Sequence, residues 1–454
     1  MIILSLPYKD KESFQPRIPF GADLVEFRLD YCSDFSESDF SIFTQRHILS
    51  YRESDEGGRI PLSDIDKIKL YTRILETCSA LIDCEYHFLK RHPGFQIPAD
   101  RLILSLHTDS SAQDDITGFL KTEIQAKYYK LALKSTIIAA VDEVSSRIRS
   151  DRKDKLILVP LAPLPLTYRL VFRLYGSQGT YVYLKEKTAQ NQPSLVLANA
   201  CRIDKITSQT ELYGIIGNRK VAKSLSVFMH NYCFQRNKQD IAMLPIIAVT
   251  PAEALKIVDW LKVKANLKGL AITMPFKKKI PHLITGERII ANSWLVASNT
   301  FINTDETAMD LAIDTLRMSK SSSVLILGTG ATSQIAQKVL QQKGFENYQI
   351  LTRQQLKDRR ARRLSKKHDL IFYHHFDLLI NCTPFGLKAE DNPKLLPAFD
   401  ALIDLPYGTE RTTLVSYALK RDLPHVSGTM FWKWQALEQA EFFGLDLRLE
   451  QRLI

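Results

Sequence analysis

A lysine in an apolar strand, a histidine one strand earlier and a glutamate one strand before that could do imine chemistry. They are Lys130 in KYYKLAL, His107 in SLH and Glu85 in DCE. A lysine whose ammonium is desolvated loses its proton more readily and can attack a ketone. The resulting iminium withdraws electrons and acidifies the adjacent carbon. His107 suits removal of that proton and its later return to a leaving hydroxyl. Glu85 could orient the imidazole. Residue types alone also permit a blander reading, with a structurally paired buried lysine and a histidine that is only a packed polar residue.

A second set could relay the proton that accompanies a hydride. Lys277 lies in AITMPFKKK and Asp305 in NTFINTDE. A lysine beside a carboxylate can pass a proton to or from a hydroxyl during hydride transfer to nicotinamide. Spacing alone leaves two surface charges as the other reading, and Lys278 and Lys279 crowd the same position. Downstream, VLILGTGATSQIAQKVL reads as a strand, a glycine turn and a helix, with Gly328 and Gly330 in the turn. Such a turn lets backbone amides and a helix N-terminus meet a pyrophosphate. The next strand ends at Leu351-Thr352-Arg353. An arginine there suits the 2′-phosphate of NADP, where an acidic residue would favour NAD. Lys357 could assist it.

These groups need strands to position them. The first 200 residues alternate short apolar runs with amphipathic ones. The pattern predicts strands over 2–6, 24–28, 47–51, 80–85, 102–107, 128–133, 156–161 and 181–183. That alternation predicts a compact (β/α)8 barrel. Its strand ends would bring Glu26, Arg28, Arg52, Asp83, Glu85, His107 and Lys130 to one face. A polar stretch over 202–210 precedes a new strand at 212–216, which places a boundary near 207. The second half predicts a doubly wound α/β fold in two lobes.

The 454 residues are 45% apolar and 24% charged, enough for a core in each half. No apolar run approaches a membrane span. The start, MIILSLPYKDK, reads as a buried strand rather than a signal peptide. Cys32, Cys78, Cys84, Cys201, Cys233 and Cys382 show no pairing rhythm and no CxxC. A reducing cytoplasm is therefore expected, with neither structural metal nor disulfide framework. The net charge of +11 suits anionic small molecules as well as nucleic acid. One dense cluster, Lys357, Arg359, Arg360, Arg362, Arg363, Lys366 and Lys367, reads as a solvated helix face or as a positive rim near a phosphate-bearing cofactor. No nucleic-acid motif with interleaved aromatics is present.

The runs EFRLD (26–30), YRESDEGG (51–58), DCE (83–85), SLH (105–107) and YYKLA (128–132) resemble, in order, those of type I 3-dehydroquinate dehydratase. The resemblance implies Lys130 as the Schiff-base lysine, His107 as proton shuttle and Glu85 as its partner. It implies that Ser5, Glu26, Arg28 and Arg52 bind the substrate and that Arg169 pairs with its carboxylate, for which a bidentate guanidinium is suited. Thr188 and Gln192, in TAQNQ, match the end of the family's SAPGQ loop.

The second half resembles shikimate dehydrogenase. GNRKVAKSLSVFMHN (217–231), KGLAITMPFK (268–277), ASNT (297–300), NTD (303–305), INCTPFG (380–386), DLPYGTERTTL (404–414) and SGTMFWKWQA (427–436) carry the likeness. It implies that Ser224, Ser226, Thr273, Asn299, Asp305, Tyr407 and Gln435 hold shikimate and that Lys277 transfers the proton. It implies NADP contacts at Gly328, Gly330, Ala331, Thr332, Thr352, Arg353, Lys357, Thr383, Leu405 and Gly428. The implied lobes are a substrate lobe over 208–315, completed by 428–454, and a Rossmann NADP lobe over 316–427, after a dehydratase-like barrel over 1–207.

Together the two resemblances imply a bifunctional enzyme acting on small carboxylates, with neither nucleic acid nor membrane as partner. The glycine turn lacks a full GGA and the stretch between Asn299 and Asp305 is short. Those departures support the alternative, a monofunctional dehydratase with a degenerate dehydrogenase-like binding domain.

Overall fold

The computed structural model describes residues 1–10, 18–35, 39–352, 354–355, 370–407 and 411–447. Arg353, Lys357 and the basic cluster that follows lie outside the described residues.

Eight parallel strands form the first sheet, in the order β7–β6–β5–β4–β3–β2–β1–β8. They are β1 (Ile2–Pro7), β2 (Leu24–Arg28), β3 (His47–Ser50), β4 (Leu81–Glu85), β5 (Leu102–Asp109), β6 (Tyr128–Lys134), β7 (Leu156–Leu161) and β8 (Thr180–Val182). Most are apolar on both faces, as parallel strands under helices must be. Residues two apart share a face. Ile3, Ile48, Leu81, Ile103, Ala132, Ile157, Val159 and Tyr181 pack as one cluster. The next positions on the same faces are Ser5, Ser50, Asp83 and Ser105, and Lys130 pairs in register with Ser105. Side chains facing that cluster thus change from apolar to polar towards the strand ends.

A second sheet has the order β10–β9–β11–β12–β13, with β9 (Glu211–Gly217), β10 (Ile241–Ile247), β11 (Asn266–Ile272), β12 (Ser293–Leu295) and β13 (Thr300–Ile302). β11, β12 and β13 form an antiparallel meander. The third sheet is parallel, in the order β15–β14–β16–β17–β18. Its strands are β14 (Val324–Leu327), β15 (Tyr348–Leu351), β16 (His375–Asn381), β17 (Ala398–Asp404) and β18 (His425–Ser427). Val324 and Ile326 enter one core and Leu325 and Leu327 the other, so the sheet is covered on both faces. Its strand order reverses beside β14, where doubly wound folds place their ligand crevice.

The chain divides into two compact units. One comprises residues 1–212, 219–232 and 239–267, the other 213–218, 233–238 and 268–454.

Candidate functional site

In the barrel, Lys130 Nζ donates to Asp83 Oδ2 at 2.6 Å and to Glu26 Oε1 at 3.4 Å, and lies 4.2 Å from the centre of the Tyr181 ring. Lys130 is buried, but the expected apolar setting is corrected: two carboxylates and a ring surround its nitrogen. Glu26 accepts from Ser5 Oγ, and Ser5 accepts from Thr188 Oγ1 at 2.7 Å. Gln192 Oε1 in turn accepts the backbone N–H groups of Thr188 and Ala189 at 3.1 and 3.2 Å. Ser5, Glu26, Thr188 and Gln192 therefore form one run that ends at Lys130.

Arg52 is the hub between strands. Its buried guanidinium donates to Ser105 Oγ at 3.0 Å and Asp83 Oδ2 at 3.2 Å, and NH1 meets His107 Nδ1 at 2.9 Å. Burial raises the Asp83 carboxyl, but Arg52 and Lys130 outweigh it and hold the group well below the usual carboxylate range. Arg28 makes a bidentate pair with Asp30 at 2.7 and 2.8 Å.

Glu85 does not meet the imidazole, which corrects its expected role. Its Oε2 accepts from Lys67 at 2.6 Å and its Oε1 from the Glu53 N–H at 3.0 Å. The carboxylate that faces His107 is Glu56: Oε2 lies 2.8 Å from Nδ1 and accepts the His107 backbone N–H at 3.1 Å. The reason is local. Glu85 ends β4 and turns to the buried Lys67 of helix Asp64–Thr77. A single 3-10 turn over Ser54–Glu56 carries Glu56 to the end of β5, and Gly57 closes it at φ 93°. A Cβ on Gly58 would lie 2.0 Å from the Arg52 carbonyl, so the turn needs that glycine. Arg52 and Glu56, four apart in YRESDEGG, were the available signal. Burial pushes Glu56 up to about 8 against the pull of Arg52. Burial, then Arg52 and Lys130, push His107 well below its ordinary value.

Arg169 is not joined to this network. It lies in a helical turn, Leu166–Leu170, just after β7. Its Nε donates to the Pro160 carbonyl at 3.0 Å, and the buried NH1 has no hydrogen-bond partner among the described residues. Burial lowers its pKa to about 10, and no carboxylate offsets that.

Ser224 and Ser226 belong to the first unit, at the start of helix Leu225–Arg236. In the second unit, Lys277 Nζ donates to Asp305 Oδ2 at 2.5 Å. The other Asp305 oxygen accepts from Asn292 Nδ2 at 2.9 Å. Asn292 is buried, and Thr304 N–H and Ser293 Oγ both donate to its Oδ1. Asn299 is corrected as a member of this group. It sits in the hairpin turn between β12 and β13 at φ 52° and accepts from Trp294 Nε1 at 3.3 Å. The short stretch between Asn299 and Asp305 is thus one arm of a hairpin, and Asn292, before β12, reaches the carboxylate instead.

Thr273 follows β11, its N–H bonded to the Ile216 carbonyl. Tyr407 is 40% exposed. Desolvation first, then the Asp305 charge, raise its phenol. Gln435 is half-buried in helix Gly428–Phe442. Its neighbour one turn on, Gln439, donates to Ser293 Oγ at 2.7 Å.

The glycine turn follows β14. Gly328 has φ 102°, and a Cβ there would lie 2.7 Å from Thr383 Cγ2. Gly330 is exposed and a Cβ on it would meet nothing within 4 Å. It precedes helix Ala331–Gln342, which no side chain among the described residues caps. An open, uncapped helix start of this kind suits a phosphate. Ala331 and Thr332 begin that helix, and Thr383 is held by Asn381 at the end of β16. Thr352 follows β15 and forms a reciprocal cap with Gln355. Gly428 is required by packing, since a Cβ would lie 2.2 Å from the Pro406 carbonyl and 2.6 Å from that of Leu405.

Residues 4–203 match the family Type I 3-dehydroquinase, and residues 215–300 match the Shikimate dehydrogenase substrate binding domain. Over 93% of this chain and 78% of the relative, the chain is 24% identical to a chloroplastic bifunctional 3-dehydroquinate dehydratase/shikimate dehydrogenase of Arabidopsis thaliana. It is 28% identical to a shikimate dehydrogenase (NADP(+)) of Methanothermobacter thermautotrophicus, over 51% of this chain and 90% of that one. A 3-dehydroquinate dehydratase of Metallosphaera sedula is 27% identical, over 42% of this chain and 91% of the relative. No described helix is long and apolar enough to cross a membrane. Residues 4–203 therefore belong to the type I 3-dehydroquinases and residues 215–300 to the substrate-binding domains of shikimate dehydrogenases, two families joined in one chain.

Proposed function

We propose that the barrel dehydrates 3-dehydroquinate to 3-dehydroshikimate through an imine on Lys130, and that the second half reduces that product to shikimate with NADPH. The observation that carries the reading is a buried lysine on β6 beside a His107–Glu56 pair on β5 and its neighbouring turn. The Lys130 amine adds to the ketone and water leaves, forming an iminium. His107 takes a proton from the adjacent carbon, and the β-hydroxyl departs as water with a proton from His107. Hydrolysis of the imine frees Lys130. Ser5, Glu26, Arg28, Arg52, Thr188 and Gln192 hold the substrate. Arg169, a buried cation without a counter-ion among the described residues, receives the carboxylate, since an unpaired buried charge gains most from a ligand of opposite sign.

In the second half, Lys277 passes a proton to the carbonyl oxygen being reduced, and Asp305 steadies the lysine. Asn292 fixes Asp305, while Thr273, Tyr407 and Gln435 hold substrate hydroxyls. Gly328, Gly330, Ala331, Thr332, Thr352, Arg353, Lys357, Thr383, Leu405 and Gly428 are assigned to NADP, whose reduced form would supply the hydride when bound. Among the described residues no disulfide joins the cysteines, and we assign the enzyme to a reducing cytoplasm.

The deciding experiment supplies dehydroquinate and NADPH and follows shikimate by chromatography. Shikimate formation is expected; accumulation of dehydroshikimate alone would reject the second activity. Borohydride added with dehydroquinate should raise the intact mass by one reduced adduct, and an unchanged mass would reject the imine.

Two substitutions test the corrected residues. Glu56→Gln is expected to lower dehydratase kcat roughly 10–100-fold, as losing the group that orients a catalytic histidine does. Ionisation of Glu56 above about 8 lets it accept the imidazole N–H, so wild-type kcat should rise through that pH. That limb should vanish in Glu56→Gln, and a pH–rate profile that keeps it would overturn the role. For the second half, Asn292→Ala should cut kcat/KM for shikimate oxidation roughly tenfold, the worth of one bond to a charged group. Asn299→Ala should change it less than twofold. The opposite ranking in steady-state assays would restore Asn299 to the site.

A further inference from the structure

We infer that β10 and helix Pro251–Lys264, which follow the barrel in sequence, complete the carboxylate-binding corner of the dehydratase, with Thr167 and Trp260 as positioning residues. The inference rests on the reading of Arg169 as the ligand for the substrate carboxylate.

Arg169 is carried on a helix of five residues, Leu166–Leu170. So short a helix does not hold its own shape; contacts outside it must fix the side chains it presents. Thr167, fully buried, supplies two of them. Its hydroxyl donates to the Pro245 carbonyl and accepts from the Ile247 N–H, both at 3.0 Å. β10 is an edge strand of its sheet, and these bonds engage backbone groups that an edge leaves unpaired. Tyr168, next in the turn, packs edge-on against Trp260 with ring centres 5.3 Å apart. Trp260 Nε1 donates to Asp142 Oδ2 at 2.8 Å, and Lys264 pairs with the other Asp142 oxygen at 2.9 Å. Asp142 lies in helix Ala139–Arg147, which connects β6 to β7. Residues 239–267 belong to the same compact unit as the barrel. The turn bearing Arg169 is thus gripped from beyond the barrel, on its hydroxyl side and on its ring side.

Displacing that turn should weaken substrate binding and leave the Lys130 chemistry alone. Thr167→Val keeps the shape and removes both bonds. In the full-length enzyme it is expected to raise KM for dehydroquinate about tenfold with kcat within about twofold, the loss of a buried bonded pair. Thr167→Ser should restore the wild-type KM. Trp260→Leu, on the other side of the contact, should raise KM in the same way and covers the case in which Thr167→Val does not fold. A merely structural role would lower the active fraction and leave KM unchanged. An unchanged KM in folded Thr167→Val or Trp260→Leu protein, while Arg169→Lys raises it, overturns this inference alone. An unchanged KM in Arg169→Lys overturns the reading of Arg169 on which it stands.

Discussion

Lys130→Ala is expected to lower dehydratase kcat by on the order of 10^4-fold or more, since it removes the amine assigned to form the covalent intermediate. Shikimate oxidation with NADP should stay within about twofold of wild type, because the proton relay of that reaction has its own lysine. The substitution removes the cation that faces Asp83 and Glu26. Both acids are buried, so their mutual repulsion grows, and the barrel should lose stability. Arg52 still holds Asp83, which limits that cost. Lys130→Met gives an apolar chain of similar length over the Tyr181 ring and serves as the control for folding. Borohydride trapping separates the chemistry from the stability: neither variant should gain adduct mass. A variant that folds, turns over and traps would place the imine on another lysine. Lys67 is the other buried lysine among the described residues, and it is occupied by Glu85.

Much of the barrel can be read from period-two strands alone. In β4, LIDCE sets Leu81, Asp83 and Glu85 on one face, and in β5 Ile103, Ser105 and His107 share a face. Apolar positions followed by polar ones on the same face announce both the core and the site above it. Alternation locates a residue on a strand but does not say which loop returns over the strand ends. Glu85 was therefore the natural partner for His107 on strand order, whereas Glu56 arrives from a turn whose path depends on Gly57 and Gly58. The same limit explains Asn299. ASNT fits a short motif, but a hairpin places Asn292 at the carboxylate and Asn299 at the turn. Lys130 shows a third limit: KYYKLAL is apolar along the chain, while the acids beside the nitrogen come from β2 and β4. Local sequence cannot report charges contributed by other strands.

Lys277→Met is expected to reduce kcat for shikimate oxidation by about 10^3-fold, within the range for loss of a positioned proton-transfer group. KM should move little if the lysine acts mainly in the transition state. The structure adds a complication that must be separated from catalysis. Asp305 is buried, and Lys277 is its one cationic partner among the described ion pairs. Removing the lysine leaves a carboxylate with Asn292 alone, so Tm should fall as well. The double variant Lys277→Met with Asp305→Asn removes the orphaned charge. It should recover much of the lost Tm while activity stays at the level of Lys277→Met or below. NADPH titration by fluorescence should be unaffected in both, because the assigned cofactor residues start at Gly328, beyond the relay in sequence. Recovery of oxidation together with Tm would mean that the pair is structural. Recovery of Tm without oxidation identifies Lys277 as the proton carrier and makes Asp305 the residue that keeps it in place.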